Sequence, residues 1–194
     1  MKALKIILGV IAIILMVIII IGLFLPSEVN VERSVTIHAQ PSDIHPYVND
    51  FRNWSGWTAW AKRDTNITNI YEGPETGAGS IYKWSGNEEA GSGMLTMTKS
   101  DSNQGIWYDM SMEDGQFLSK GSISYKPKGD STAVTWSYQA EAGGNIIFKY
   151  VMVFFKPYIE HDFDVGLRDL KKLVESDSGA SDSTAVEPDS ILVN

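Results

Sequence analysis

What most limits the fold of this chain is one amphipathic helix placed after a long run of strands. Between Asn145 and Glu175, Ile159, Phe163, Leu167, Leu170 and Val174 recur at steps of four, four, three and four, which sets them on one stripe of an α-helix. The opposite face is charged. Glu160, Asp164, Asp169 and Glu175 alternate there with Arg168, Lys171 and Lys172, acids leaning toward the start and bases toward the end, as the helix dipole favours. Pro157 cannot sit inside a helix without a kink, so Ile146 to Lys156 reads as a separate apolar lead-in and Pro157 as an early position of the main helix. The stripe needs an apolar surface to lie on, and the sequence upstream offers a curved antiparallel sheet.

That sheet is written in alternation. Val29, Val31, Val35 and Ile37 share one face of a first strand. Pro41 then opens a short helix that Ser42 or Asp43 can cap, with Ile44, Tyr47, Val48 and Phe51 on its inner side. Trp54, Trp57 and Trp60 follow at spacings of three. They read as a packing plug at one end of the sheet, with rings that touch a ligand as the alternative. After a short strand, Ile67 to Tyr71, and a turn cluster through Gly79, the chain becomes a series of alternating runs. Tyr82 and Trp84 share a face, as do Leu95 and Met97, then Ile106, Tyr108, Met110 and Met112, then Ile123 and Tyr125, then Val134, Trp136 and Tyr138. Trp107 points the other way. The gaps at Gly86-Asn87, Ser100 to Asn103, Asp114-Gly115 and Pro127 to Asp130 are turn chemistry, so consecutive strands pair as hairpins with one wet face.

Ahead of the strands, Ile6 to Leu25 is an uncharged apolar run of 20 residues, which as a helix covers roughly 30 Å, the thickness of a bilayer's hydrocarbon core. A cleaved signal peptide would have a shorter apolar region and a small-residue cleavage site, which Gly22 to Pro26 does not supply. Lys2 and Lys5 precede the run while Glu28 and Glu32 follow it. The expected arrangement is a single-pass anchor through residues 6–25 with a cytoplasmic N-terminus and an extracytoplasmic domain. The formal net charge of −8, with 24 acidic against 16 basic residues, argues against nucleic acid as a partner. The chain has no Cys, which excludes disulfides, thiolate catalysis and cysteine-based zinc sites. His38, His45 and His161 are scattered without metal spacing, and neither a metal nor a cofactor is expected. His161 reads as a boundary histidine, with a general base at a cavity mouth as the alternative. Glu88-Glu89 reads as a solvated hairpin tip. From Ser176 onward the sequence is polar and acidic and reads as disordered.

The inner face is rich in Tyr, Trp and Met rather than Val and Leu. Such a face either lines a cavity or forms an irregular core filled by large rings.

The order of these elements resembles the SRPBCC, or START-like helix-grip, superfamily of the polyketide cyclase/dehydrase and lipid-transport type. The resemblance is carried by Val31 to Ile37 followed by Pro41 and Asp43; by Asp50 to Trp54 with Trp57 and Trp60; by Gly77 to Ser80 leading into Tyr82 to Asn87; by Gly91-Ser92-Gly93; by Thr132 to Trp136; and by Asp162 to Asp164 before Gly166 to Leu173. It implies an α+β fold: a seven-stranded antiparallel sheet gripping a long C-terminal helix, with two short helices after the first strand. The N-terminal transmembrane helix is added to that. The expected divisions are an anchor over 1–26, a helix-grip domain over 27–175 and a tail over 176–194. The resemblance also implies an apolar cavity between sheet and helix, hence a hydrophobic small molecule or lipid as partner, with Tyr82, Trp84, Tyr108, Tyr138, Phe154 and Phe155 as candidate wall residues. The competing expectations are a cyclase or dehydratase using a cavity acid or base, and a ligand-free extracytoplasmic interaction domain. Oligomeric state is not legible.

Overall fold

Alternation in the sequence becomes alternation in burial. In the computed structural model, which describes residues 2–64, 66–88, 90–112, 115 and 117–183, the first strand β1 (Glu28–Ile37) buries Val29, Val31 and Ile37 while its even positions face solvent. An apolar helix α1 (Lys2–Phe24) precedes it. After it come α2 (Pro41–Asn49), two 3₁₀ turns (Phe51–Gly56 and Trp60–Lys62), and the strands β2 (Thr68–Glu72), β3 (Ile81–Ser85), β4 (Ser92–Asp101), β5 (Gly105–Met112), β6 (Phe117–Lys128) and β7 (Ser131–Glu141). A last helix α3 (Ile146–Ser183) closes the described chain. All seven strands form one antiparallel sheet in the order β1-β7-β6-β5-β4-β3-β2. Six consecutive strands make the expected meander, and β1 joins it beyond β7 with Val35 opposite Val134 and Val31 opposite Tyr138.

The stripe of α3 lies on this sheet as its spacing requires. Phe163, Leu167, Leu170 and Val174 are buried and Ile159 is half-buried. The charged residues of α3 do more than face water, because several reach across to β1. Arg33 meets Glu160 at 3.0 Å and Asp164 at 3.3 Å, Lys171 donates to the Thr36 carbonyl at 2.7 Å, and the Glu175 carboxylate accepts from the His38 backbone N–H at 2.8 Å. These contacts set the slide of the helix along the strand.

Three details differ from the sequence reading. First, α3 is one helix through Pro157 rather than two segments. A proline there deprives the Val153 carbonyl of its helical partner, and Val153 is 41% exposed, so the gap in the ladder falls at an exposed residue. The helix also continues to Ser183, past the expected boundary at 175, while 184–194 of the expected tail lie outside the described residues. Second, α2 is capped two positions ahead of Ser42, the earlier of the two expected caps. Gln40 is the N-cap, and Asp43, at the third helical position, accepts from the Gln40 backbone N–H at 3.3 Å. Third, the register of β4 against β5 shifts at Thr98, whose hydroxyl donates to the Trp107 carbonyl. Trp107 faces outward as expected, with the Lys99 ammonium 4.3 Å above its ring. Of the expected turns, Asp114 and Glu89 lie outside the described residues.

The helix α1 is long and apolar enough to cross a membrane, a test that a signal sequence near the N-terminus also passes. Its end is docked. Gly22 is its one buried residue, and a side chain there would sit 2.2 Å from Ile146 Cγ2 in the first turn of α3. Lys149 Nζ donates to the Leu25 carbonyl at 3.1 Å.

Candidate functional site

Rings of the inner face lie down across neighbouring strands because glycines opposite them leave room. Trp84 pairs with Gly93 and Tyr108 with Gly121. A Cβ at Gly93 would stand 2.4 Å from Trp84 Cη2, and one at Gly121 would stand 2.2 Å from Tyr108 Cζ. Neither ring could keep its place over any other residue.

Trp136 on β7 is the centre of the assembly. It stacks on Phe163 of α3 at 4.1 Å between centroids and meets Trp57 at 5.2 Å, Trp60 at 5.8 Å and Trp54 at 5.9 Å. Its indole N–H donates to the Tyr108 hydroxyl at 2.8 Å. The 3₁₀ turns place the other indoles while serving the end of α2: Trp54 donates to the Val48 carbonyl, Trp57 to that of Tyr47, and Asn53 to that of Pro46. These are the carbonyls a helix C-terminus leaves unmatched. The tryptophan plug is therefore a packing device as well as a cap.

Toward β2 the aromatic wall continues as a column. Tyr71 stacks on Tyr82 at 5.3 Å and Tyr82 on Trp84 at 5.5 Å. Tyr82 donates to Asn69 at 2.9 Å. Burial pushes its hydroxyl pKa up to about 12; Tyr71 adds to this and the neighbouring Trp60 indole opposes it. Trp60 Nε1 is nonetheless buried without a well-aligned acceptor. Elsewhere on the inner face and on α3, Met110, Met112, Tyr138, Phe148 and Ile159 are only partly buried against the core. Beside the column lies a small cleft between Asp50, Arg52, Tyr71 and Glu75, with about 30 Å³ of space. That is room for a water and not for a lipid.

The expected wall residues separate into two groups. Tyr82, Trp84 and Tyr108 are buried on the inner face and Tyr138 is half-buried there. Phe154 and Phe155 are elsewhere. They are 65% and 51% exposed on the outside of α3, where they touch each other and Tyr158. The roomy interior implied by the resemblance is corrected as well at its centre, which is packed by Trp54, Trp57 and Trp136, all at most 1% exposed. The general-base reading of His161 finds it on the exposed side of α3, so it faces no interior proton.

Other polar groups carry more of the site's structure. His45 of α2 lies 3.3 Å from the Tyr125 hydroxyl and 3.1 Å from Ser100 Oγ, which in turn donates to Asn49 at 2.5 Å. Burial lowers the His45 pKa, with Asp101 pulling the other way. Lys62 and Arg63, just after Trp60, grip α3 through Asp169 and Asp162. Burial raises the Asp162 carboxyl against the opposing pull of Arg63, while the hydrogen bond from Lys62 holds Asp169 below its ordinary value. The one signal for them in the sequence is that two bases closely follow the tryptophan plug while the long helix carries acids at Asp162 and Asp169. Among the described residues no group of three or more His, Asp or Glu side chains is placed to hold a metal.

Comparison with known proteins places this geometry. Residues 28–175 match the model of a family described as polyketide cyclase / dehydrase and lipid transport. Among solved structures, the di-domain aromatase/cyclase StfQ of the steffimycin biosynthetic pathway superposes with a TM-score of 0.60 at 10% identity, over 78% of this chain and 52% of that one. A protein from Thermobifida fusca superposes at 0.56 with 19% identity over 76% and 93%, and truncated norcoclaurine synthase from Thalictrum flavum at 0.56 with 15% identity over the same shares. No curated protein matches by sequence. At these identities the solved structures speak for the fold alone. The family match covers most of the chain, and with the seven-stranded sheet closed over by α3 it gives the conclusion: this chain belongs to the polyketide cyclase/dehydrase and lipid-transport family, with an apolar N-terminal helix added.

Proposed function

We propose that this is a membrane-anchored binding domain: α1 stays in the bilayer with its N-terminus on the cytoplasmic side, and the domain outside holds a hydrophobic small molecule or lipid against the inner face of the sheet. The observation that carries this reading is the indole N–H of Trp60, a buried donor set in an aromatic wall, which approaches the Tyr82 hydroxyl but is poorly aligned with it. Native interiors seldom leave such a donor unmet. An apolar ligand with one acceptor oxygen would satisfy it while its hydrocarbon part lay along Tyr82, Trp84 and the half-buried Tyr138, Met110 and Met112. The rings around Trp60 are closely packed, with Trp54, Trp57 and Trp136 at most 1% exposed, so the flank bearing those half-buried residues must part from the start of α3 on entry. The family's description, which includes lipid transport, supports the same ligand class.

The reading is tested on the full chain in lipid nanodiscs, following tryptophan fluorescence as brominated fatty acid or a brominated aromatic alcohol is added. Because α1 contains no tryptophan, quenching reports on the domain. Saturable quenching is expected, weakened about tenfold in Trp60→Phe as the hydrogen bond is lost. Linear, non-saturating quenching by both probes, equal in wild type and variant, would remove the proposal.

A further inference from the structure

The exposed rings of α3 have a surface of their own to meet. Resting on the reading of α1 as an anchor, we propose that the start of α3, from Ile146 to Ile159, is an interfacial segment seated in the headgroup and upper acyl region of the bilayer that α1 crosses. Three independent observations lead there.

Position comes first. The first turns of α3 are joined to the last turns of α1: Gly22 lies against Ile146 and Tyr150, and the Tyr150 hydroxyl donates to the Ile18 carbonyl at 2.7 Å. Ile18 is seven residues inside Leu25, or about 10 Å along a helix axis. If the apolar run occupies the bilayer, the start of α3 is at the membrane surface or within it.

Exposure comes second. Ile147, Val153, Phe154, Phe155 and Tyr158 are exposed by 76%, 41%, 65%, 51% and 56%. Phe154, Phe155 and Tyr158 form one patch with ring centroids 5.6 to 6.0 Å apart. An aromatic patch of this kind is unfavourable in water and suited to the interface, where phenyl rings enter the acyl boundary and a tyrosine hydroxyl stays among headgroups.

Charge comes third. In a chain with net charge −8, the stretch from Ala142 to Ile159 holds no acidic residue; Lys149 is buried there with its ammonium on the Leu25 carbonyl, and Lys156 is the exposed cation. That segment lacks the carboxylates that an anionic lipid surface repels, whereas the rest of the domain carries them. The lead-in to α3 would thus hold the half-buried flank of the sheet at the level where apolar ligands are stored.

The absence of cysteine makes the test direct. Single cysteines at Ile14, Phe155 and Asp109, the last on the solvent face of β5, are labelled with an environment-sensitive fluorophore in the full chain, reconstituted in phosphatidylcholine and phosphatidylglycerol vesicles containing spin-labelled lipid. The expected result is strong quenching at 14 and 155 and none at 109, with shallower spin labels acting best at 155. Quenching at 14 alone would leave the anchor standing and overturn the interfacial segment. No quenching at either 14 or 155 would overturn both. A blue-shifted but unquenched probe at 155 would mean that a second protein copy covers the patch, and equal quenching at 109 would mean indiscriminate adsorption; either overturns the proposal.

Discussion

Trp136 and Tyr108 share a hydrogen bond that neither residue could make without a glycine: the indole N–H reaches the Tyr108 hydroxyl at 2.8 Å because the phenol ring lies flat over Gly121. Both partners are buried, and burial drives the Tyr108 pKa well above its ordinary value. Tyr108→Phe should leave the Trp136 donor unmet in the core and lower unfolding stability by about 1–3 kcal/mol, read from the urea midpoint. Gly121→Val should cost more, because it displaces the ring itself. If Tyr108→Phe is as stable as wild type, the bond is not a structural one.

Phe163 covers the other side of Trp136 at 4.1 Å, and Gly166 lets α3 come that close, since a Cβ there would stand 2.8 Å from Trp136 Cζ3. Phe163→Ala should therefore destabilise by about 3–5 kcal/mol. The measurement is chemical denaturation followed by far-UV circular dichroism, and a loss under about 1 kcal/mol would contradict the packing described.

Stability should fall with acidification through His45. In the fold its neutral ring accepts from the Tyr125 hydroxyl at Nδ1 and donates from Nε2 to Ser100, which passes its own proton toward Asn49. Protonating Nδ1 would remove the acceptor Tyr125 uses. Because the folded pKa lies below the ordinary 6.5, the unfolded chain binds the proton more readily. The stabilisation is whole above 6.5 and is lost as pH falls through that value toward the lower folded one. Comparing urea midpoints at several pH values between pH 8 and pH 5, the His45→Gln chain should lose less stability than wild type. Parallel pH profiles would contradict this.

Arg63 answers a carboxyl that burial has made reluctant to ionise. Asp162 is raised by its surroundings and partly restored by the guanidinium. A raised acid costs stability as pH climbs past its unfolded value near 3.8, and removing the cation enlarges that cost. Arg63→Met should lose about 1–2 kcal/mol at neutral pH and less near pH 4, and adding Asp162→Asn should recover most of the loss. Thermal melts of the single and double variants check it; a double variant no better than Arg63→Met alone would refute the pairing.

Topology can be read by the same cysteine-free background. With Lys5→Cys or Asp109→Cys in intact cells, an impermeant maleimide should label position 109 and spare position 5. The reverse pattern would invert the assignment of sides.

The sheet was legible because its signal is local. Period-two alternation from Val29 onward and turn residues between the runs dictated both strands and hairpin order, and the stripe from Ile159 to Val174 named the helix that lies on them. The site was legible only in part. Tyr82, Trp84 and Tyr108 could be assigned to the inner face by parity, yet whether they enclose space or fill it depends on Gly93 and Gly121 one strand away, which pairing register decides. Phe154 and Phe155 sit in an apolar run with no periodicity to tell inside from outside, and the start of their helix is fixed by α1, which is over a hundred residues earlier in the chain. The network of His45, Tyr125 and Ser100 joins three elements distant in sequence and leaves no trace in any one of them.

Four indole rings, those of Trp54, Trp57, Trp60 and Trp136, lie with neighbouring centroids 5.1 to 6.1 Å apart. Chromophores at that spacing and in fixed mutual tilt exchange excitation, so the folded chain should show an exciton couplet in its circular dichroism that vanishes when the rings lose their orientation. The interior therefore carries its own optical gauge, sensitive to small rotations at the end where Trp60 stands and silent about everything on the far side of the strands.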